Sequence, residues 1–276
     1  MSTGEILLLG VIAGGTIFLG LPMGRVQNIG AGARAGLSAL ATGILIFLLW
    51  DVLSGAVGPI EEAVEEHEWA EFAGFAALGL VGFGLGYLSL VYYAEWMRKR
   101  SHRRASTLVG PGAAAIDEFE HRGLSEGKLL ALLIAVGIGV HNFGEGLAIG
   151  QAAANELTGL AVTLVIGFAL HNATEGFGIC GPMAGEGTRP TWGYLGLLGL
   201  IGGGPTFVGT LIGQAWTSAE ISVLFFAIAA GSILYVVQEL FAVNRRYAMP
   251  TLVAWLVFAG IVLGFATDFV IDAAGV

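Results

Sequence analysis

Six ionisable side chains stand inside long apolar stretches of this sequence: Asp51, His141, Glu145, His171, Glu175 and Glu239. Charged groups are costly to bury in such stretches and point to function. Four of the six belong to a hexapeptide that occurs twice, 30 residues apart: His141-Asn142-Phe143-Gly144-Glu145-Gly146 and His171-Asn172-Ala173-Thr174-Glu175-Gly176. On a helix, His and Glu at i and i+4 lie one above the other on a single face, with Asn at i+1 three residues before the Glu. At about 1.5 Å per residue, both motifs sit roughly 15–22 Å from either end of their stretches, near the middle of a bilayer. The link between the two stretches, residues 151–157, is short. The helices are therefore expected as antiparallel neighbours, which inverts one motif relative to the other. His141 then comes to the depth of Glu175, and Glu145 to that of His171. Two imidazoles, two carboxylates and two carboxamides share one polar spot.

That set suits a divalent cation. Two carboxylates cancel the charge of the ion, and imidazole with carboxylate fits zinc and its neighbours in the first transition row. The Asn oxygens serve a harder, more hydrated ion. Interhelical hydrogen bonding, or a proton relay without metal, is the alternative for such a spot. An intramembrane metallohydrolase with Glu as general base is a further alternative. It would want an H-E-x-x-H helix, whereas Asn142 and Asn172 directly follow the two histidines here. A proton-coupled carrier of an organic solute is the third, and it lacks the intramembrane Arg or Lys often wanted for an organic anion. Asp51, beside Trp50, is either an entrance-side ligand or a residue near the interface. Gln238-Glu239 either receives the ion on exit or pairs with Arg245 or Arg246. Gly146 and Gly176, each directly after a motif Glu, clear space beside the carboxylate or let helices pack closely. Gly82 and Gly86 form a small-xxx-small pair that packs either helices or protomers.

These residues need a membrane-spanning scaffold, and the composition supplies one. The chain has 276 residues, of which 55% are hydrophobic and 12% charged, with a net charge of −9 and a mean hydropathy of +0.80. Soluble domains carry about 25% charged residues. With 12 Lys+Arg in all, nucleic-acid binding is not expected. Gly-rich, Pro-poor and apolar, the chain reads as a polytopic helical membrane protein. Cys180 is the sole cysteine, so an intrachain disulfide and a Cys-based zinc knuckle are excluded. The first apolar run has no basic leader before it and reads as a retained span.

A span needs about 20 apolar residues. Eight stretches qualify, at 5–24, 34–55, 71–94, 128–150, 158–180, 191–214, 220–242 and 249–272. The fold class expected is thus all-α, a single transmembrane domain over residues 1–276 with eight helices in one bundle. The run Gly202-Gly203-Gly204-Pro205 predicts a broken or kinked sixth span. All 12 Lys+Arg fall in alternate connections, so the positive-inside rule places both termini outside and the loop 95–127 in the cytoplasm. That loop begins with Arg98, Lys99, Arg100, Arg103 and Arg104, and carries His102 and His121. It reads as a solvated linker whose basic start faces anionic lipid. The outer loop 55–70 holds Glu61, Glu62, Glu65, Glu66, His67 and Glu68. It is either a soluble amphipathic connector or a cation-attracting vestibule, with His67 among its candidate first ligands.

The paired H-N-x-x-E-G motifs, the eight spans, the outside termini and the long third connection resemble the ZIP family of metal transporters, most closely its prokaryotic branch with a short, His-poor loop. The resemblance implies an eight-helix bundle in the cell (inner) membrane, with spans one to three and six to eight related by a pseudo-two-fold axis. It implies inward transport of divalent ions such as zinc, iron, manganese or cadmium, as dimers, by one helical block sliding against another. The ion is then substrate, and no catalytic cofactor is expected. Carried onto this chain, the ligands are His141, Glu145, His171 and Glu175, with Asn142 and Asn172 lining a second site. Two departures stand out. Gly144 and Thr174 occupy positions where the family often has Pro. Gly204 stands where some relatives have a Glu before Pro205, so one well-formed site is expected, with water or a weakly held ion on the Asn side.

Overall fold

The computed structural model describes residues 1–26, 30–106, 125–154, 158–183, 189–215 and 218–273. Within its helices, the side chains of 97–98, 100–106, 126, 158–160, 163–164, 167, 170–171, 267 and 270–273 lie outside the description. Every described element is helical. The long helices are α1 (Thr3–Gly15), α2 (Ala31–Glu65), α3 (Trp69–Ser106), α4 (Glu126–Ala154), α5 (Thr158–Cys180), α6 (Trp192–Gly213), α7 (Ala219–Arg246) and α8 (Pro250–Ala273). A short helical turn, Ile17–Gly20, and a 3-10 turn, Leu21–Arg25, extend α1. Among the described residues, six helical segments are long and apolar enough to cross a membrane: Thr3–Arg25, Ala31–Glu65, Trp69–Trp96, Gly127–Ala154, Trp192–Gly213 and Ala219–Arg246. α5 and α8 have 23 and 24 residues.

Helix starts follow the local chemistry. Ser2 and Glu5 form a reciprocal capping box on α1, with Ser2 N donating to Glu5 Oε2 at 2.7 Å. The Thr191 hydroxyl caps α6 by accepting from the Tyr194 amide at 3.1 Å. Pro250 opens α8, where its missing N–H leaves no gap.

Three expectations are revised. The acidic stretch 55–65 is not loop: α2 continues through it as one 35-residue helix. At about 1.5 Å per residue that is roughly 50 Å, well beyond a bilayer core of about 30 Å. Ala and Glu are good helix formers, so the helix outlasts its apolar stretch. Only at His67, with φ of 62°, does the chain turn back, and Glu68 N then donates to the Ala63 carbonyl at 2.9 Å. Likewise α3 runs on to Ser106, carrying a Glu95–Lys99 pair at 2.5 Å, so 95–106 is helix rather than linker. Residues 107–124, and with them His121, lie outside the described residues, as does the side chain of His102. Finally, α6 runs unbroken from Trp192 to Gly213 with Pro205 inside it. α4 packs against this stretch: a Cβ added at Gly139 of α4 would overlap the Ile201 carbonyl and lie 3.3 Å from the Pro205 ring.

Contacts between helices obey an internal exchange. α4 packs on α6 as α5 packs on α1, α3 on α7 as α8 on α2, and α4 on α7 as α5 on α2. Swapping α1 with α6, α2 with α7, α3 with α8 and α4 with α5 maps these pairs onto one another. α4 and α5 lie at the centre of this arrangement. Gly82 and Gly86 are explained within the chain: Cβ atoms there would run into the Leu224 and Ile228 carbonyls of α7. The largest apolar cluster includes Leu48, Ile134, Ile138, Ile179, Leu198 and Ile233. Where α1's extension meets the start of α6, Arg25 donates to the Pro190 carbonyl and stacks 4.6 Å over Trp192. There too Tyr194 Oη donates to the Lys128 carbonyl at 2.7 Å.

Candidate metal centre

α4 presents His141, Asn142 and Glu145 from successive turns, and α5 presents Asn172 and Glu175 from the inverted repeat. All five are at least 97% buried. His141 Nε2 lies 3.1 Å from Glu145 Oε1 and 3.9 Å from Glu175 Oε1. Ligand atoms about 2.0–2.1 Å from a tetrahedral ion are about 3.3–3.4 Å apart, so the Glu145 spacing is close to a coordination edge and the Glu175 carboxylate would have to move about half an ångström nearer. No three His, Cys, Asp or Glu side chains close into a metal-binding group among the described residues. His171 lies on α5, four residues before Glu175, and its side chain is outside the described residues.

The two Asn side chains bind across the motif pair. Asn142 Nδ2 donates to Glu175 Oε2 at 3.2 Å and to the Gly202 carbonyl of α6 at 3.0 Å. Asn172 Nδ2 donates to Glu145 Oε2 at 3.4 Å and to the Ala13 carbonyl of α1 at 3.0 Å. Among the described residues, Asn142 Oδ1, Asn172 Oδ1 and Glu175 Oε1 are buried acceptors that make no hydrogen bond. Buried acceptors left open are costly, and a cation at this position would satisfy them. Two adjacent carboxylates repel in a low-dielectric interior, and a divalent ion between them removes that repulsion.

The remaining candidates are spread along the bundle. Asp51, half-buried on α2, stands close enough to act electrostatically on His141 and on Glu145. Glu239 is elsewhere. Cβ atoms at Gly137 and Gly144 of α4 would meet Val236 and Phe226 of α7, which sets His141 level with about residue 229. Glu239 is then roughly 15 Å further along α7, toward the Lys128 end. His67 is exposed at the far tip of α2, its Nδ1 2.9 Å from the Glu65 carbonyl. The Ala13 and Gly202 carbonyls were not anticipated, since a backbone acceptor leaves no mark on residue type.

Close backbone approach surrounds the cluster. A Cβ at Gly146 would overlap the Thr206 carbonyl of α6, and one at Gly176 the Ile17 carbonyl. These glycines let α6 and the α1 extension reach the motif helices. Gly204 has nothing within 4 Å of its would-be Cβ, so a side chain at this place in α6 would meet open space.

A family model described as ZIP Zinc transporter matches residues 93–272, which include both motifs. No curated protein matches the chain.

Proposed function

The chain belongs to the ZIP zinc transporter family, whose members are membrane proteins that carry divalent metal ions, and we propose that it moves Zn²⁺ inward across the cell (inner) membrane through the His141/Glu145/Glu175 cluster. Iron, manganese and cadmium fit the same donors. One observation carries this reading: an imidazole and two carboxylates from inverted repeats meet in a buried spot, 3.1 and 3.9 Å apart, beside acceptor oxygens that make no hydrogen bond among the described residues. His171, from its register on α5, is proposed as the fourth ligand.

The path follows the charge. The acidic end of α2, with Glu61, Glu62, Glu65 and His67, gathers cations, and Asp51 hands the ion to His141 and Glu145. Arg25, Lys128 and Arg189 mark the opposite end, which the positive-inside rule assigns to the cytoplasm, leaving both termini outside. Between the cluster and that end, Ile138 and Ile179 are fully buried, so inward release requires them to part. Glu239 then lies on the exit side.

Alternating access by sliding blocks is supported by where the glycines sit. Carbonyl overlaps at Gly14, Gly146, Gly176 and Gly209 join α1, α4, α5 and α6; those at Gly43 and Gly260 join α2 to α8, and those at Gly86 and Gly231 join α3 to α7. Across the two groups the same probe meets chiefly side chains: Val236 at Gly137, the Phe226 ring at Gly144, Ala41 at Gly178. The first group is linked throughout by backbone, the second is two backbone-linked pairs, and the seam between the groups is chiefly a side-chain contact that can re-form after a shift. α3 turns Leu80, Leu85 and Tyr92 outward, an apolar face for lipid or for the second copy of a homodimer.

The test is Zn²⁺ uptake into proteoliposomes with a trapped fluorescent indicator. Saturable uptake by wild type that is lost in His141→Ala/Glu175→Ala supports the reading. Uptake at the wild-type level in that double variant overturns the site. Folded wild-type protein passing none of Zn²⁺, Fe²⁺, Mn²⁺ or Cd²⁺ overturns the function.

A further inference from the structure

Both Asn side chains of the repeat are oriented by the backbone. Asn142 and Asn172 each place Nδ2 3.0 Å from a carbonyl oxygen, on Gly202 of α6 and Ala13 of α1. A carbonyl only accepts, so a flipped amide would set oxygen against oxygen. The amide nitrogen, with its two hydrogens, therefore faces that carbonyl and the Glu Oε2 of the opposite helix. In both glutamates, Oε1 is then the oxygen turned to His141 Nε2.

We infer that Asn142 and Asn172 are positioning residues that act through their N–H groups: each clamps the carboxylate of the opposite motif and ties it to α6 or α1. The inference rests on the metal-transport reading and adds to it. A liganding Asn contributes its oxygen to the ion. A clamping Asn selects which carboxylate oxygen faces the imidazole, and links both glutamates to the two helices that flank the motif pair. The arrangement is reciprocal, Asn142 with Glu175 and Asn172 with Glu145, and it obeys the same exchange of α1 with α6 and α4 with α5 that relates the helices. Outer partners that orient a ligand change metal affinity while leaving the ligand in place.

The experiment uses the full-length protein in nanodiscs. Asn142→Leu, Asn172→Leu, Glu145→Met and Glu175→Met are combined in double-mutant cycles, with thermal unfolding in EDTA as one readout and the Zn²⁺ dissociation constant, measured well below unfolding, as the other. Coupling is expected within Asn142/Glu175 and within Asn172/Glu145 in the metal-free protein, with additive effects for Asn142/Glu145 and Asn172/Glu175. Each Asn→Leu variant should raise the Zn²⁺ dissociation constant by about 10- to 100-fold. A purely structural role would move unfolding and leave that constant unchanged, which overturns the proposal. Additive cross pairs, or equal coupling in the same-helix pairs, overturn it as well. Should a Leu variant not fold, Asn→Ala removes the same donor at smaller volume. Wild-type protein that binds no divalent ion while its cross pairs still couple overturns the transport reading and not the clamp. Wild-type binding with additive cross pairs overturns the clamp alone.

Discussion

Gly144 and Gly146 flank Glu145 on α4, and alanine at each should have opposite consequences. A Cβ at Gly144 would lie 3.4 Å from the Phe226 ring, ordinary contact. Replacing a mid-helix glycine there should stabilise by about 0.5–1 kcal/mol through helix propensity. A Cβ at Gly146 would overlap the Thr206 carbonyl and stand 2.8 Å from the Thr210 nitrogen. Both are backbone atoms and cannot rotate aside. α6 would have to retreat by about an ångström to restore normal contact. It has little room, because Gly203 on its other face meets the Gly14 carbonyl of α1. Overpacking of this kind costs about 1–3 kcal/mol, and with backbone on both sides the upper end is expected. The retreat also draws the Gly202 carbonyl away from Asn142, loosening Glu175. Gly146→Ala should therefore lower the melting temperature and Zn²⁺ uptake together, while Gly144→Ala keeps uptake and melts at or above wild type. Thermal unfolding in detergent and proteoliposome uptake measure both. Equal melting temperatures and equal uptake for the two variants would refute the α4–α6 backbone contact on which the argument depends.

Three further outcomes follow from particular contacts. Arg25→Ala removes a guanidinium that stacks on Trp192 and donates to the Pro190 carbonyl, and should destabilise by about 1–2 kcal/mol, read as a lower melting temperature. Asn244→Leu breaks the bond from Asn244 Nδ2 to Thr42 Oγ1, 3.0 Å, which ties α7 to α2, and should cost about 1 kcal/mol in the same assay with Zn²⁺ affinity unchanged. At the solvent tip, a hydrogen bond and charge repulsion from Glu71 hold the Glu68 carboxyl above its ordinary pKa. The folded state thus binds that proton more tightly, and the Glu68 contribution to stability falls as pH rises through the carboxylate range. Glu71→Gln should return the Glu68 titration, followed by carboxyl NMR, to lower pH; an unmoved titration would rule Glu71 out as the cause.

The centre of the molecule was legible because its signal is periodic and chemical. His and Glu at i, i+4 name a helix face, and a short link between two apolar stretches names the antiparallel pairing that brings Glu175 to His141. Hydropathy served less well at helix limits. It marks where the bilayer ends, whereas α2 and α3 continue into water because Glu, Ala and Lys sustain a helix without burial. Gly202-Gly203-Gly204-Pro205 does not break α6 for a related reason. Read locally, the run breaks helices. In place, Gly139 and Gly14 bring neighbouring backbones against it, and the contact outweighs the propensity. The amide donors of Asn142 and Asn172 were invisible as donors, since their acceptors on Gly202 and Ala13 are main-chain atoms that any residue would offer.

The distribution of the polar cluster bears on how an ion could cross. His141, Asn142, Glu145, Asn172 and Glu175, with the Ala13 and Gly202 carbonyls, all belong to α1, α4, α5 and α6. Of the candidates near them, Asp51 alone belongs to α2, in the other group. A shift of one group against the other would carry the buried acceptors and their hydrogen bonds as a unit, breaking none of them. What must change is the seam, where Phe143 meets Phe225 at 4.7 Å and Gly144 faces Phe226. Aromatic faces slide at small cost compared with uncovering a carboxylate in hydrocarbon. Asp51 would then lose or gain its hold on the ion as the groups move, biasing which side the loaded cluster faces. A hydrolytic centre would instead need fixed geometry with a standing route for water and product, and the apolar layer of Ile138 and Ile179 stands across one of the two directions.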